Sequence, residues 1–164
     1  MIKHPYLSAA LGLLGLACVG LTALEPQNAA AQPPVLFLHG ATYLNTIKTS
    51  TGAFSSRSVV TFHADSTMSA IDSGQGGPTF FFSSQLGSWK SDGAGRIVAR
   101  TIDFDYPPNA DVARLDYTNV KFSADGTRVT GTITLTTFPL QSNPLDGGGT
   151  VAGTFTFTGT LVTP

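Results

Sequence analysis

Two stretches near the C-terminus alternate almost without interruption: Arg128–Thr137 and Thr150–Val162. In the first, Val129, Gly131, Ile133 and Leu135 share one face, and Thr130, Thr132, Thr134 and Thr136 the other. In the second, Val151, Gly153, Phe155, Phe157, Gly159 and Leu161 oppose Thr154, Thr156, Thr158 and Thr160. A period of two is the signature of extended strands packed on one face and wetted on the other. It commits the C-terminal quarter to β-structure before any other residue is considered.

The rest of the chain extends the pattern. Strands are predicted at Thr42–Thr49, Ser58–His63, Thr67–Asp72, Leu86–Lys90, Arg96–Tyr106 and Val112–Ser123. Ser91-Asp92-Gly93-Ala94-Gly95, Pro107-Pro108-Asn109 and Ala124-Asp125-Gly126 read as tight turns. Gly74, Gly76, Gly77 and Pro78 mark a loop that leads into the bare run Phe80-Phe81-Phe82. Long strands joined by tight turns, with no helix between them, favour an all-β, single antiparallel up-and-down barrel of about eight strands. A β-sandwich of short Greek-key strands is the runner-up. A lipid-facing barrel needs an apolar outer band, which a threonine face does not supply.

The N-terminus has the layout of an export signal. Lys3 precedes the apolar run Leu7–Leu24, Glu25-Pro26-Gln27-Asn28 ends it, and Ala29-Ala30-Ala31 offers a small-x-small cleavage site. The run sits at the lower edge of a membrane-spanning length, but Gly12, Gly15 and Gly20 weaken an anchor. Cys18 would suit a lipoprotein, yet Gly15 is a poor match for that signal and the apolar run continues past the cysteine. The expectation is residues 1–31 as a signal peptide cleaved after Ala31 and 32–164 as one domain, secreted or periplasmic, with no membrane span in the mature chain.

Cleavage would remove Cys18, the only cysteine, and with it any disulfide, thiolate nucleophile or cysteine metal ligand. It would also remove Lys3 and Glu25 from a chain of nine basic and ten acidic residues, leaving the balance near zero and no basic patch for nucleic acid. Glu25 is the only glutamate, and a domain without glutamate has little of what exposed helices are built from.

Val35-Leu36-Phe37-Leu38-His39-Gly40 has the look of an α/β-hydrolase oxyanion strand, but no Gly-x-Ser-x-Gly elbow or alternating helices accompany it. His39 and His63 lack ligand spacing, and Asp103 and Asp105 sit in no calcium loop, so neither a metal nor a cofactor is expected. The densest chemistry is the hairpin Arg100–Tyr106 and Arg114–Tyr117. Asp103 and Asp105 share one face, with Arg100, Ile102, Phe104 and Tyr106 on the other. Facing inward, Asp103, Asp105, Arg100 or Arg114 would supply acid–base or electrostatic help. Facing outward, they would form an ion-pair ladder that fixes hairpin register.

Trp89, Phe104, Tyr106, Tyr117, Phe155 and Phe157 are candidates to line a cavity, with Phe80, Phe81 and Phe82 as a lid at its mouth or as a contact for a membrane or partner. The same aromatics would serve equally to fill a solid centre. Gly131, Gly153 and Gly159 on the apolar face either mark bends that closure requires or leave room for a ligand.

Gly87-Ser88-Trp89, the strand Arg96–Tyr106 and the repeated Gly-Thr strands together resemble a lipocalin-like (calycin-type) family of small secreted bacterial β-barrels over roughly residues 40 to 162. Allene oxide cyclase-like and dirigent-like barrels are similar in plan. The first resemblance implies a small lipophilic molecule held in the lumen. The second implies a cofactor-free cyclase or isomerase acting on an apolar, polyketide- or lipid-like substrate. A non-catalytic envelope or extracellular module that makes contacts through its threonine faces is the third reading.

Overall fold

The computed structural model describes residues 40–76 and 81–164. The expected signal peptide, His39 and Phe80 lie outside the described residues. Eight strands follow in chain order: β1 Ala41–Thr49, β2 Phe54–Phe62, β3 Thr67–Asp72, β4 Gln85–Ser91, β5 Ile97–Phe104, β6 Asp111–Phe122, β7 Arg128–Pro139 and β8 Thr150–Leu161. Each pairs antiparallel with the next, and β8 returns to β1 to close an up-and-down barrel. Closure leaves no strand edge unpaired, and the alternation then sorts each strand into a lumen face and an outer face.

Threonine goes outside. Thr130, Thr154, Thr156, Thr158 and Thr160 are exposed on β7 and β8, while Val129, Ile133 and Phe157 are buried within. Lys48, Arg57, Lys90 and Lys121 are exposed on other strands, so the outer wall carries charge as well as hydroxyls. Among the described residues, no helix is long and apolar enough to cross a membrane.

One end of the barrel is packed shut. Tyr43, Phe62 and Phe122 meet with ring centroids 5.6–6.2 Å apart in tilted and edge-on arrangements, which suit the quadrupoles of aromatic rings. The Tyr43 hydroxyl donates to the Gly126 carbonyl at 2.8 Å and ties the β6–β7 turn beneath the barrel. Trp89 packs against the same core and donates its indole N–H to the His63 carbonyl at 3.0 Å. Each of these rings removes enough apolar surface from water to contribute roughly 2–3 kcal/mol.

The glycines on the apolar face make room for neighbouring side chains. A Cβ on Gly131 would meet the Phe157 ring at 2.6 Å, and one on Gly153 would meet the Phe155 ring at 2.9 Å. Gly159 lies under the Asn45 amide, its partner across the β8–β1 seam. The space these glycines leave is therefore occupied by protein.

Register shifts at Ile47/Lys48, Ile97/Ala99, Thr118/Lys121 and Leu135/Thr136 bend the wall. Phe138 faces outward by the β7 alternation yet is buried, because the β7–β8 loop folds over it. Gly149 sits on the Phe138 ring, and the Arg114 guanidinium lies 4.9 Å from its centroid.

Strand β2 begins at Phe54, four residues before the expected Ser58. Phe54-Ser55-Ser56-Arg57 has no apolar alternation, and its pairing with Thr46–Lys48 of β1 carries it into the sheet. Strand β5 ends at Phe104, short of the expected Tyr106, although Asp105 still forms an isolated bridge with Phe82.

Candidate functional site

The other end of the barrel is open. Its cavity, about 440 Å³, is walled by Ile47, Ala113, Leu115, Leu135, Phe155 and Phe82 on the apolar side. Asp72, Gln85, Asp103, Asp105, Asp111 and Thr137 supply the polar side. The lining comes from the C-terminal ends of β1, β3, β5 and β7 and the N-terminal ends of β2, β4, β6 and β8, which an up-and-down barrel brings to one rim.

Asp103 is the unusual member. It is 3 % exposed, and its Oδ1 is buried without a hydrogen-bond partner among the described residues. Burial pushes its carboxyl up to about 7, and the charges of Asp105 and Asp72 add to the shift. Asp105 is also raised, by its own burial and then by Asp111. Asp72, in contrast, is well served: Oδ2 accepts from Ser56 Oγ at 2.8 Å and Oδ1 from the Gly74 amide at 2.7 Å.

The deeper polar groups are tied together. Tyr117 and Thr101 both donate to Gln85 Oε1, at 2.9 and 3.3 Å. Burial raises the Tyr117 phenol, with Asp103 and Asp72 adding to it, so this hydroxyl stays protonated and serves as a donor. Among the described residues, no group of three or more His, Cys, Asp or Glu is arranged to hold a metal ion.

The candidate residues fall on both sides of the wall. Asp103, Asp105, Phe82 and Phe155 line the cavity. Tyr117 and Phe157 belong to the packed interior, with ring centroids 6.0 Å apart, and Trp89 belongs to the closed end. Phe104 and Tyr106 are exposed and do not line the cavity, because the alternation that turns Asp103 and Asp105 inward turns them out. Phe81 is exposed at the rim, its carbonyl accepting from the Tyr106 amide at 2.7 Å.

Arg100 and Arg114 also face outward. Both bind Asp116, through Nε–Oδ contacts of 2.6 and 2.9 Å. The Arg100–Asp116 pair crosses from β5 to β6, and the Arg114–Asp116 pair lies within β6. A broader hollow of about 660 Å³ lies over these pairs on the outside of β4–β6, but its Arg100 and Asp116 are paired to each other and it carries no buried orphan group.

Sequence reasoning did not single out Asp72, Gln85, Asp111, Ile47, Leu115 or Leu135. They come from five different strands and share no local motif, so their only signal is strand phase at one rim. No protein-family model, curated protein or solved structure matches the chain.

Proposed function

We propose that the protein binds a small lipophilic molecule in the open end of its barrel. The observation that carries this reading is the 440 Å³ cavity with its aliphatic and aromatic wall, at a mouth formed by all eight strands. A hollow of that size and character suits one small ligand. The eight-stranded up-and-down plan supports kinship with lipocalin-like barrels as part of the same proposal, and the Lys3–Ala31 pattern supports export to the periplasm or beyond.

Calorimetric titration with straight-chain alcohols of increasing length tests the reading. Saturable single-site binding is expected, and Leu135→Trp, which fills the cavity with an indole, should abolish it while the β-sheet circular dichroism persists. Binding that ignores Leu135→Trp, or no binding along the series, would overturn it.

One observation favours a second reading, a cofactor-free cyclase or isomerase. Asp103 sits in the cavity with its carboxyl near neutrality, suited to taking a proton from an apolar substrate and returning it elsewhere. Deuterium incorporation from heavy water into a bound ketone, lost in Asp103→Asn, is the outcome this reading requires. A wild-type protein that exchanges nothing rules it out.

A further inference from the structure

Four carboxylates, Asp72, Asp103, Asp105 and Asp111, line the cavity, and among the described residues no lysine, arginine or histidine does. The nearby basic groups on β5 and β6, Arg100 and Arg114, are on the outer wall and engaged with Asp116. Asp72 has its donors, from Ser56 and Gly74. Asp103 has none at Oδ1, although it is almost wholly buried. A buried acceptor left without a donor is costly, and a donor delivered by a ligand would relieve that cost.

We propose that the cavity takes a lipophilic organic cation: a protonated amine whose N–H is donated to the Asp103 carboxylate while its hydrocarbon body lies against Ile47, Leu115, Leu135 and Phe155. This rests on the reading of the open end as the ligand site. The two halves of the lining specify the two halves of the ligand. An ammonium–carboxylate hydrogen bond is of the strong, charge-assisted kind. A hydrocarbon with no donor would leave the carboxylate unpaired, a neutral hydroxyl would bring a donor but no charge, and an anion would meet four like charges. A metal ion is a poorer complement, since these carboxylates do not gather into a group of three around one point.

The groups facing Asp103 set the pH behaviour. Asp72 and Asp105 raise its pKa, and Tyr117 stays protonated beneath it, so no titrating cation lies opposite. Below about pH 7, Asp103 must lose a proton to receive an ammonium, so affinity falls as the medium is acidified.

The test compares three eight-carbon probes, octylammonium, octanol and octanoate, by calorimetry on the purified protein. At about pH 8 octylammonium is expected to bind at least about tenfold more tightly than octanol, with octanoate weakest, and to lose about tenfold by pH 6 while octanol does not change. Asp103→Asn should bring octylammonium and octanol to within about twofold of each other. If that variant does not fold, the charge series and pH series on the wild type decide alone. Equal binding of octanol and octylammonium overturns the cation assignment and leaves the lipophile cavity standing. Failure of all three probes overturns both. Stoichiometric calcium binding without octylammonium binding makes the acidic rim a metal site and also overturns the proposal.

Discussion

Asp103 and Phe104 are neighbours in the chain and stand on opposite sides of the barrel wall. Asp103 is 3 % exposed and Phe104 is 50 % exposed. The usual sorting of charge to water and aromatic to core is thus reversed at this pair. A carboxylate held in that position works against the folded state whenever it is ionised, which makes it more consistent with a site than with a scaffold.

The reversal should be visible in stability against pH. The folded pKa of Asp103 is raised to about 7, above its unfolded value near 4, so the folded state binds more protons than the unfolded state between those values. Stability therefore falls as pH rises from about 4 to 7, by on the order of 2–4 kcal/mol. Asp125 acts in the opposite sense at lower pH. Hydrogen bonds from Ser123 and Thr127 hold its carboxyl down at about 2, and its contribution is lost as pH falls through that value. Urea unfolding of the wild type across this range should show the decline above pH 4, and Asp103→Asn should flatten it. A wild type whose stability rises from pH 4 to 7 contradicts the placement of Asp103.

The seam that closes the barrel is equally testable. Gly159 pairs with Asn45, and a Cβ there would run into Asn45 Oδ1 and approach Val129 to 2.7 Å. Overpacking of this kind costs roughly 1–3 kcal/mol, so Gly159→Ala should destabilise by that amount. In the Asn45→Ala background the same change should cost less, because one of the two obstacles is gone. Equal costs in both backgrounds would show that the seam tolerates the methyl by moving.

The strand phase of β7 and β8 was legible because threonine and apolar residues alternate over most of both, up to the register shift that leaves Val151 exposed. Strand β5 was different. Its Ile102–Phe104 face is the more apolar, and read alone it belongs inside. The structure puts Ala99, Thr101 and Asp103 inside instead. Register explains this: Thr101 pairs with Leu115, and Leu115 with Leu135, whose phase is fixed by β7 and β8. A strand with two plausible faces takes the one its neighbours dictate. The cavity was less legible still, because Asp72, Gln85 and Asp111 converge only once eight strands are closed in one order.

The polar floor beneath the cavity should be structural. Tyr117 donates to Gln85 Oε1 at 2.9 Å in a fully buried setting. Tyr117→Phe removes one of two donors to that oxygen and should cost about 1–2 kcal/mol of stability. Because Thr101 still holds Gln85, ligand affinity should change by no more than about threefold. A large loss of affinity at unchanged stability would instead make the Tyr117 hydroxyl a ligand contact.

On the outer wall, Asp116 joins two arginines of unequal worth. Arg100 is 44 % exposed, and its pairing with Asp116 is screened by water, so Arg100→Ala should cost less than about 1 kcal/mol. Arg114 is 12 % exposed, lies over the Phe138 ring and donates to the Pro144 carbonyl. Removing it uncovers Phe138 and frees the β7–β8 loop, so Arg114→Ala should cost about 2–3 kcal/mol. Both side chains face away from the cavity, so neither change should alter ligand affinity, and raised salt should weaken only the Arg100 contribution. Calorimetric affinities that drop in Arg100→Ala would mean that the outer wall takes part in binding.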